Sequence, residues 1–238
     1  MSATGSPEVK RANKASTSDI QNTLNAVSED DFEIRAFANS KDLPNDIRDA
    51  IWQIFEENMY SLYANSPTFG WDPKAKKKEL FHKHSRFLIA SPANQSDILA
   101  GYTMFRFEHD QDENLLYWSV TAPWSIIHIF KSVSSYELQV RDLYQGKSLG
   151  KILMGDIESI AQNWKMEKIM LTVLKGESGG LFPPLIPMII CSSSANIRAC
   201  QFYRALGFAL DPSNPTDDDE GFENVDYEIL SKIVRASL

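Results

Sequence analysis

Apolar residues recur at Leu149, Ile152, Leu153, Ile157, Ile160, Ala161 and Trp164. That spacing puts them on one side of an α-helix and predicts a half-buried one. Ile47, Ala50, Ile51, Ile54, Phe55, Met59 and Leu62 form a second stripe over 44–63, with Pro44 to Asp46 as its start signals. Ala199, Phe202, Tyr203 and Leu206 make a third face, stopped by Gly207. Between the helices lie short runs of β-formers. Phe87–Ala90 and Ile98–Phe107 read as a hairpin around 92–96, and a further strand begins at Asn114. From Tyr136 the pattern alternates, with Leu138 and Val140 on one side and Glu137 and Gln139 on the other. Ile169 to Leu174 is a continuous apolar run that suits a buried strand, and Tyr227 to Leu230 predict the last one.

Helix, antiparallel strands, strand–turn–helix–strand, helix and strand together predict an α/β domain with a mixed sheet flanked by helices. Its centre is 136–175, where the helix starts in the small-residue turn Gln145-Gly146-Lys147-Ser148-Leu149-Gly150. A helix start of this kind offers unpaired N–H groups and the positive end of the peptide dipoles, a ready anion site with phosphate as its usual occupant. The turn matches neither GxGxxG nor GxxxxGK[ST], so the dinucleotide fingerprint and the P-loop are both excluded.

Composition narrows the class. The chain has 238 residues, 43% of them hydrophobic, a net charge of −8 and a pI near 5.1, as expected of one α/β domain with appendages. No apolar run approaches the roughly 20 residues that span a bilayer, and Met1 to Gly5 open no signal peptide. Cys191 and Cys200 are the only cysteines, with no CxxC and no nearby His pair, which predicts reduced thiols and no metal site. The acidic balance argues against direct nucleic-acid binding and suits a basic peptide. Residues 1–30 are rich in Ser, Thr, Ala and Asn and predict a flexible or partly helical tail, with Asp19 able to cap a short helix through Ile20, Leu24 and Val27. Lys74 to Lys83 is a basic helical segment, read as a solvated face.

The turn at 145–150 resembles the Q/R-x-x-G-x-G/A pyrophosphate loop of the GCN5-related N-acetyltransferases, with Ser148 where that family usually has glycine. Eight islands resemble one branch, the type D N-terminal acetyltransferases that act on histones: 62–71, 105–108, 116–118, 136–139, 148–153, 168–175, 196–208 and 226–232. The resemblance implies the acetyltransferase fold over 31–238 and acetyl-CoA as co-substrate. It implies as acceptor the N-terminal serine of histones four and two-A, which begin Ser-Gly-Arg-Gly. Glu137 matches that branch's essential carboxylate, and Glu108 stands where it usually has aspartate. Tyr63, Tyr136, Thr172 and Tyr227 match its peptide slot, with Phe69 in place of a tryptophan. Leu138, Gln139 and Val140 match the strand edge that pairs with the pantetheine arm, and Gln145 to Lys151 match the pyrophosphate turn. Asn196 and Ser213 match further cofactor contacts, and Asp217 to Glu220 form an acidic patch suited to the histone arginine.

Two segments interrupt the resemblance. Residues 119–135 fall inside what would be one strand, and 176–194 fall between a strand and the next helix. They read as translated introns, and Gly176-Glu177-Ser178 can be encoded by a GGTGAGT run that contains a splice donor. The rival reading is inserted apolar loops, and with either present weak activity or none is expected. The expectation is an acyltransferase of cytoplasm and nucleus acting on histone tails, with ribosome or chromatin association as a further partner and no membrane. The alternatives are transfer to a lysine or a small-molecule amine, and an inactive acyl-CoA-binding isoform.

Overall fold

The computed structural model describes residues 6–25, 31–109, 131–174, 197–215 and 225–234. The chain divides into two compact units. The first holds residues 1–58, 72–169 and 233–238, and the second holds 59–71 and 170–232. The strand expected from Asn114 and the acidic patch at 217–220 lie outside the described residues, as does the whole of 176–194.

The first unit is built on four strands: β1 (Phe32–Phe37), β2 (Arg86–Pro92), β3 (Gly101–His109) and β4 (Lys131–Val140). They lie side by side in that order, each antiparallel to the next. Strand β1 was not anticipated, although Phe32, Ile34 and Ala36 alternate with Glu33 and Arg35 as in a half-buried strand; only Phe32 and Ala36 of its residues are buried. Alternation divides the sheet into two faces. Phe87, Ile89, Tyr102 and Met104 join Ile47, Ile51, Ile54 and Leu80 in one core. Helices α3 (Asn45–Asn65) and α4 (Pro73–Leu80) thus cover that face. Leu88, Ala90, Phe105 and Phe107 are buried on the other, where α5 (Leu149–Asn163) packs. A fully buried Ile, Leu or Phe contributes about 1.5–3 kcal/mol, so the stripes at 47–54 and 149–161 hold both layers to the sheet.

The N-terminal stretch carries two short helices, α1 (Pro7–Ala12) and α2 (Thr17–Gln21). Ser16, not Asp19, is the N-cap of α2. Asp19 completes a reciprocal capping box, its carboxylate accepting from the Ser16 N–H at 2.9 Å. Gln21 ties α2 to β1 at both ends of its amide, donating to the Ile34 carbonyl at 3.0 Å and accepting from the Ala36 N–H at 2.7 Å. Asn13 donates to the Phe107 carbonyl at 3.1 Å and fixes α1 to β3.

The second unit places β5 (Lys168–Leu174), β7 (Tyr227–Ile233) and β6 (Ala209–Leu210) side by side, β6 antiparallel to β7. Helix α6 (Ile197–Ala205) ends at Gly207, whose φ of +87° is the left-handed stop its sequence predicts. Cys200 in α6 is buried and disulfide-bonded. This corrects the expectation of reduced thiols, which rested on the absence of a CxxC pattern and of a nearby His pair. The one other cysteine of the sequence, Cys191, lies outside the described residues.

The last five residues of the 119–135 segment are not outside the sheet. Lys131 to Ser135 continue β4 and pair with His109 to Phe105. The remainder of the segment, to residue 130, lies outside the described residues.

Close approach of β3 and β4 depends on Gly101, where a Cβ would lie 2.7 Å from the Gln139 carbonyl oxygen. Gly101→Ala is expected to cost about 1–3 kcal/mol in urea denaturation, the usual loss for an overpacked site. Gly155→Ala, in the middle of α5 with its nearest neighbour at 3.7 Å, should stabilise by about 0.5–1 kcal/mol in the same assay.

Candidate functional site

Strand β4 carries the densest chemistry. Its ladder with β3 pairs Met104 with Glu137 but Phe105 with Ser135, so Tyr136 is the extra residue of a β-bulge. A bulge frees backbone groups from the ladder and bends the strand at one point. Tyr136 is thereby placed in β4, and its side chain lies outside the described residues.

Directly after the bulge, Glu137 faces the α3–α4 side with Gln139, since their partners Met104 and Tyr102 belong to that core. It is only 6% exposed, which rules out the solvated strand residue that the sequence pattern alone allowed. Lys76 of α4 meets Glu137 Oε1 at 2.7 Å and Glu79 Oε1 at 3.2 Å. Gln139 donates to Glu137 Oε2 at 2.9 Å, and Asn58 of α3 donates to Gln139 Oε1 at 3.0 Å. Burial pushes the Glu137 carboxyl above its ordinary pKa, with Lys76 and the amide of Gln139 pulling the other way.

Lys76 corrects the reading of 74–83 as a solvated face. Its neighbours Lys74, Lys77 and Lys78 are exposed while Lys76 is 5% exposed. Asp72 caps α4 and Pro73 opens it, and the helix period then turns Lys76 and Leu80 inward. The Lys76–Leu80 spacing was the available signal, masked by four lysines in five residues.

Glu108 is not brought to Glu137. It lies four residues beyond Met104 along β3 and pairs with Ser132, about 13 Å away at the usual rise per residue. Its charge acts instead on His82 and His84, whose pKa values burial and the neighbouring cations, Arg106 among them, hold low.

Beyond β4 the chain makes the expected turn and starts α5. Gly146 has φ +74° and Ser148 φ +62°, so Ser148 adopts the left-handed conformation that glycine takes without cost. Its side chain makes no capping bond, and Gln145 to Ser148 are exposed. Leu149 is buried under the helix, Gly150 is half-buried, and Lys151 is exposed. Gln145 donates to Asp142 at 2.8 Å and to the Val140 carbonyl at 3.3 Å, locking the turn to the end of β4. Asn58 donates to that same carbonyl at 3.2 Å. Leu138 pairs with Thr103 on the opposite face from Glu137. The first-turn N–H groups of α5 with the open space around Gly146 fit a diphosphate.

In the second unit three residues assigned to the peptide slot come together. Phe69 lies 5.9 Å from Tyr63 and 5.5 Å from Tyr227 between ring centroids, and Trp71 extends the group at 6.3 Å from Tyr63. Ser66 accepts from the Phe69 N–H at 3.0 Å, and Gly70 at φ +64° turns the loop so that both rings face the cluster. Burial, then the Asp226 charge, raises the Tyr227 pKa, so its phenol keeps its proton as a donor. Asp226 itself, missed from sequence, keeps a buried Oδ1 with no hydrogen-bond partner among the described residues. Thr172 is exposed on β5. Ser213 is held by Asp211, whose carboxylate accepts from its N–H at 3.0 Å and its hydroxyl at 2.5 Å. Asn196 lies outside the described residues.

A cavity of about 600 Å³ opens elsewhere, lined by Arg48, Trp52, Lys77, Phe81, His82 and Lys83 among others. It contains none of the candidate catalytic, peptide-slot or cofactor residues named from sequence. Among the described residues no helix is long and apolar enough to cross a membrane, and no group of His, Cys, Asp and Glu could hold a metal ion.

Residues 49–178 match the model of the acetyltransferase (GNAT) family. Among solved structures the chain is similar to a GCN5-related N-acetyltransferase from Kribbella flavida, with a TM-score of 0.51, 14% identity and coverage of 87% of this chain and 99% of that one. It is equally similar to an acetyltransferase from Streptococcus agalactiae, with a TM-score of 0.51, 14% identity and coverage of 85% and 98%. A GNAT-family acetyltransferase from Staphylococcus aureus gives 0.50 at 12% identity, covering 85% of this chain and 100% of that one. At such identities the likeness shows a common fold, α/β with its sheet flanked by helices.

Ser148→Gly tests the turn. Relief of the left-handed strain, less the entropy that glycine adds to the unfolded chain, should stabilise the free protein by about 0.5 kcal/mol, read as a higher melting temperature. Ser148→Val, with a β-branched side chain at positive φ, should lower it.

Proposed function

The chain belongs to the acetyltransferase (GNAT) family, and we propose that within it the acceptor is a protein N-terminus. The substrates of this reading are histones four and two-A, whose chains begin Ser-Gly-Arg-Gly. Its main support is the grouping of Tyr63, Phe69 and Tyr227, three positions at which the chain resembles the peptide slot of the type D N-terminal acetyltransferases. Phe69 set edge to face with Tyr227 and tilted against Tyr63 makes an apolar wall flanked by phenols. Such a wall suits a small first residue and a backbone, and the retained phenol proton can hold a peptide carbonyl. The unpartnered oxygen of Asp226 adds an acceptor for a cationic group.

Acetyl transfer from acetyl-CoA is the family's reaction, and the bound thioester supplies the acyl carbon. The exposed turn at 145–148 and the first N–H groups of α5 hold the diphosphate, and Lys147 and Lys151 add positive charge on the exposed side. An α-amine has a pKa of about 7.7–8, so a useful fraction is neutral near pH 7 and needs no strong base. The neutral amine attacks the thioester carbon, the C–S bond breaks and CoA leaves as its thiolate, while Glu137 accepts the proton that the nitrogen loses as the amide forms. No covalent bond to the protein is made.

Histone tails are the proposed partners, with ribosome or chromatin association where such chains are made or assembled. Cytoplasm and nucleus are the proposed location. There the burial of Cys200 would limit access of reductant to its disulfide.

The experiment is acetyl-CoA with a Ser-Gly-Arg-Gly peptide carrying one internal lysine, followed by mass spectrometry of the acetylated position. Acetyl at the α-amine is expected, with kcat/KM levelling off near pH 8. Acetyl on the lysine alone, with a rate still climbing beyond about pH 9 as its pKa of about 10.4 requires, would assign a side-chain acceptor instead. Binding of acetyl-CoA without either product would mark an inactive binding form. Glu137→Gln should lower kcat by about 10²-fold or more while leaving acetyl-CoA affinity unchanged.

A further inference from the structure

We propose that Lys76 is the positioning residue of Glu137, and that Glu79 balances the Lys76 charge when Glu137 takes up a proton. The inference rests on the reading of Glu137 as the proton acceptor, and it assigns roles to two residues of α4 that the resemblance does not mark.

Two groups touch the Glu137 carboxylate among the described contacts, Lys76 of α4 and Gln139 of β4. Glu79 of α4 acts on it through charge, and Met104 of β3 is its partner across the ladder. Asn58 of α3 holds Gln139, Phe55 of α3 lies against Lys76, and Arg106 of β3 donates to the Glu79 carbonyl. Lys76 is the cation in contact with Glu137 itself. Its Nζ also lies 5.2 Å from the centre of the Phe55 ring, so the ammonium is enclosed by two carboxylates and an aromatic face. An ammonium buried to this degree is costly unless paired. Pairing with one carboxylate would satisfy it. Two are present, at 2.7 Å from Glu137 and 3.2 Å from Glu79.

The second carboxylate has a chemical consequence. When Glu137 receives a proton it becomes neutral, and a Lys76 paired with it alone would be left as an uncompensated buried cation. Breaking a buried pair in that way is strongly destabilising. Glu79 removes the obstacle. The cluster carries a net charge of −1 with both carboxylates ionised and zero after Glu137 is protonated, so proton uptake ends at electroneutrality. Glu79 also keeps Oε2 buried without a hydrogen-bond partner among the described residues, an acceptor to which Lys76 can turn. The proton travels from the acceptor nitrogen to a Glu137 oxygen and later returns to water. Lys76 keeps all three of its own protons.

Gln139 and Asn58 complete the device. Gln139 gives its N–H to Glu137 Oε2 and takes its own oxygen's bond from Asn58, so the amide orientation is set by both neighbours. Glu137 Oε1 is held by Lys76 and Oε2 by Gln139, which fixes the plane of the carboxylate.

The test uses the full-length protein and two readouts. The titration of Glu137 is followed by carboxyl-carbon NMR, with Glu137→Gln to assign the signal, and needs no substrate. The pH dependence of kcat/KM is measured with acetyl-CoA and the Ser-Gly-Arg-Gly peptide. Lys76→Met should move the Glu137 titration and the acid limb of the rate to higher pH, lowering kcat/KM below the limb by about tenfold or more, as loss of an adjacent opposite charge does. Glu79→Gln should move both to lower pH, because it removes a like charge, and should reduce kcat/KM on the plateau. Lys76→Arg keeps the charge and should return the limb toward its original place, which also guards against a Lys76→Met protein that does not fold.

Opposite displacements in Lys76→Met and Glu79→Gln support the proposal. Displacements of the same sign, a Glu137 signal unmoved by Lys76→Met, or one that Lys76→Arg displaces as far as Lys76→Met does, overturn it whatever the melting temperatures do. If the wild-type protein acetylates no peptide, the acceptor assignment falls while the NMR arm still decides whether Lys76 and Glu79 govern Glu137.

Discussion

The antiparallel ladder between β3 and β4 is the constraint on which the first unit rests. It runs from Gly101 opposite Val140 to His109 opposite Lys131. Because side chains alternate along a strand, this single register decides which residues share a face with the α3–α4 core and which share one with α5. It sends Glu137 and Gln139 toward α3 and α4 and sends Leu138 toward the opposite side. A slip of one residue would exchange the two sets and leave the carboxylate among apolar side chains without its lysine. The close approach at Gly101 admits no side chain without moving the Gln139 carbonyl, so the register and the site share one steric condition.

Charge placement follows from that geometry. The molecule is acidic overall, at −8, yet a buried cation, Lys76, sits beside its buried candidate base, Glu137. Desolvation raises the Glu137 pKa and Lys76 opposes the rise. Burial and the neighbouring ammonium thus act on this carboxylate in opposite senses. Burial makes the carboxylate a readier proton acceptor than a solvated glutamate, and Lys76 favours its charged form. The bulge at Tyr136 adjoins this pair, so the strand bends where the chemistry is placed. Helix α5 begins beyond the end of the same strand, after the turn that Gln145 pins to it, with its positive end toward solvent.

Much of the fold was legible from periodicity. The stripes of α3 and α5 and the apolar run of β5 were in the residues, because burying one side of a helix or both sides of a strand demands those patterns. The turn at 145–150 was legible from its glycines and from the helix that follows, and the structure adds the reason Ser148 is out of place there, a φ of +62°. Strand β1 was legible in principle, since Phe32, Ile34 and Ala36 alternate with Glu33 and Arg35, but six residues are a short signal beside the longer stripes. The N-terminal helices were half legible. One helix near Asp19 was read, with its cap misplaced from Ser16 and its end beyond Gln21, and α1 was not read; what holds them, Gln21 on β1 and Asn13 on β3, depends on strands distant in sequence.

What the sequence determined by itself is local: helix faces, turn chemistry, and the residue types that could bind a diphosphate or accept a proton. What the tertiary structure decided is which of those residues meet. Nothing in four lysines among five residues says which one is buried, and nothing in two glutamates on neighbouring strands says that Glu108 lies near a histidine pair while Glu137 lies against Lys76. The grouping of Phe69 with Tyr63 and Tyr227 likewise joins a loop to a strand more than 150 positions later. The physical reason is that periodicity records the solvent each side chain avoids, whereas pairing depends on register and helix rotation, which are set only when distant segments pack.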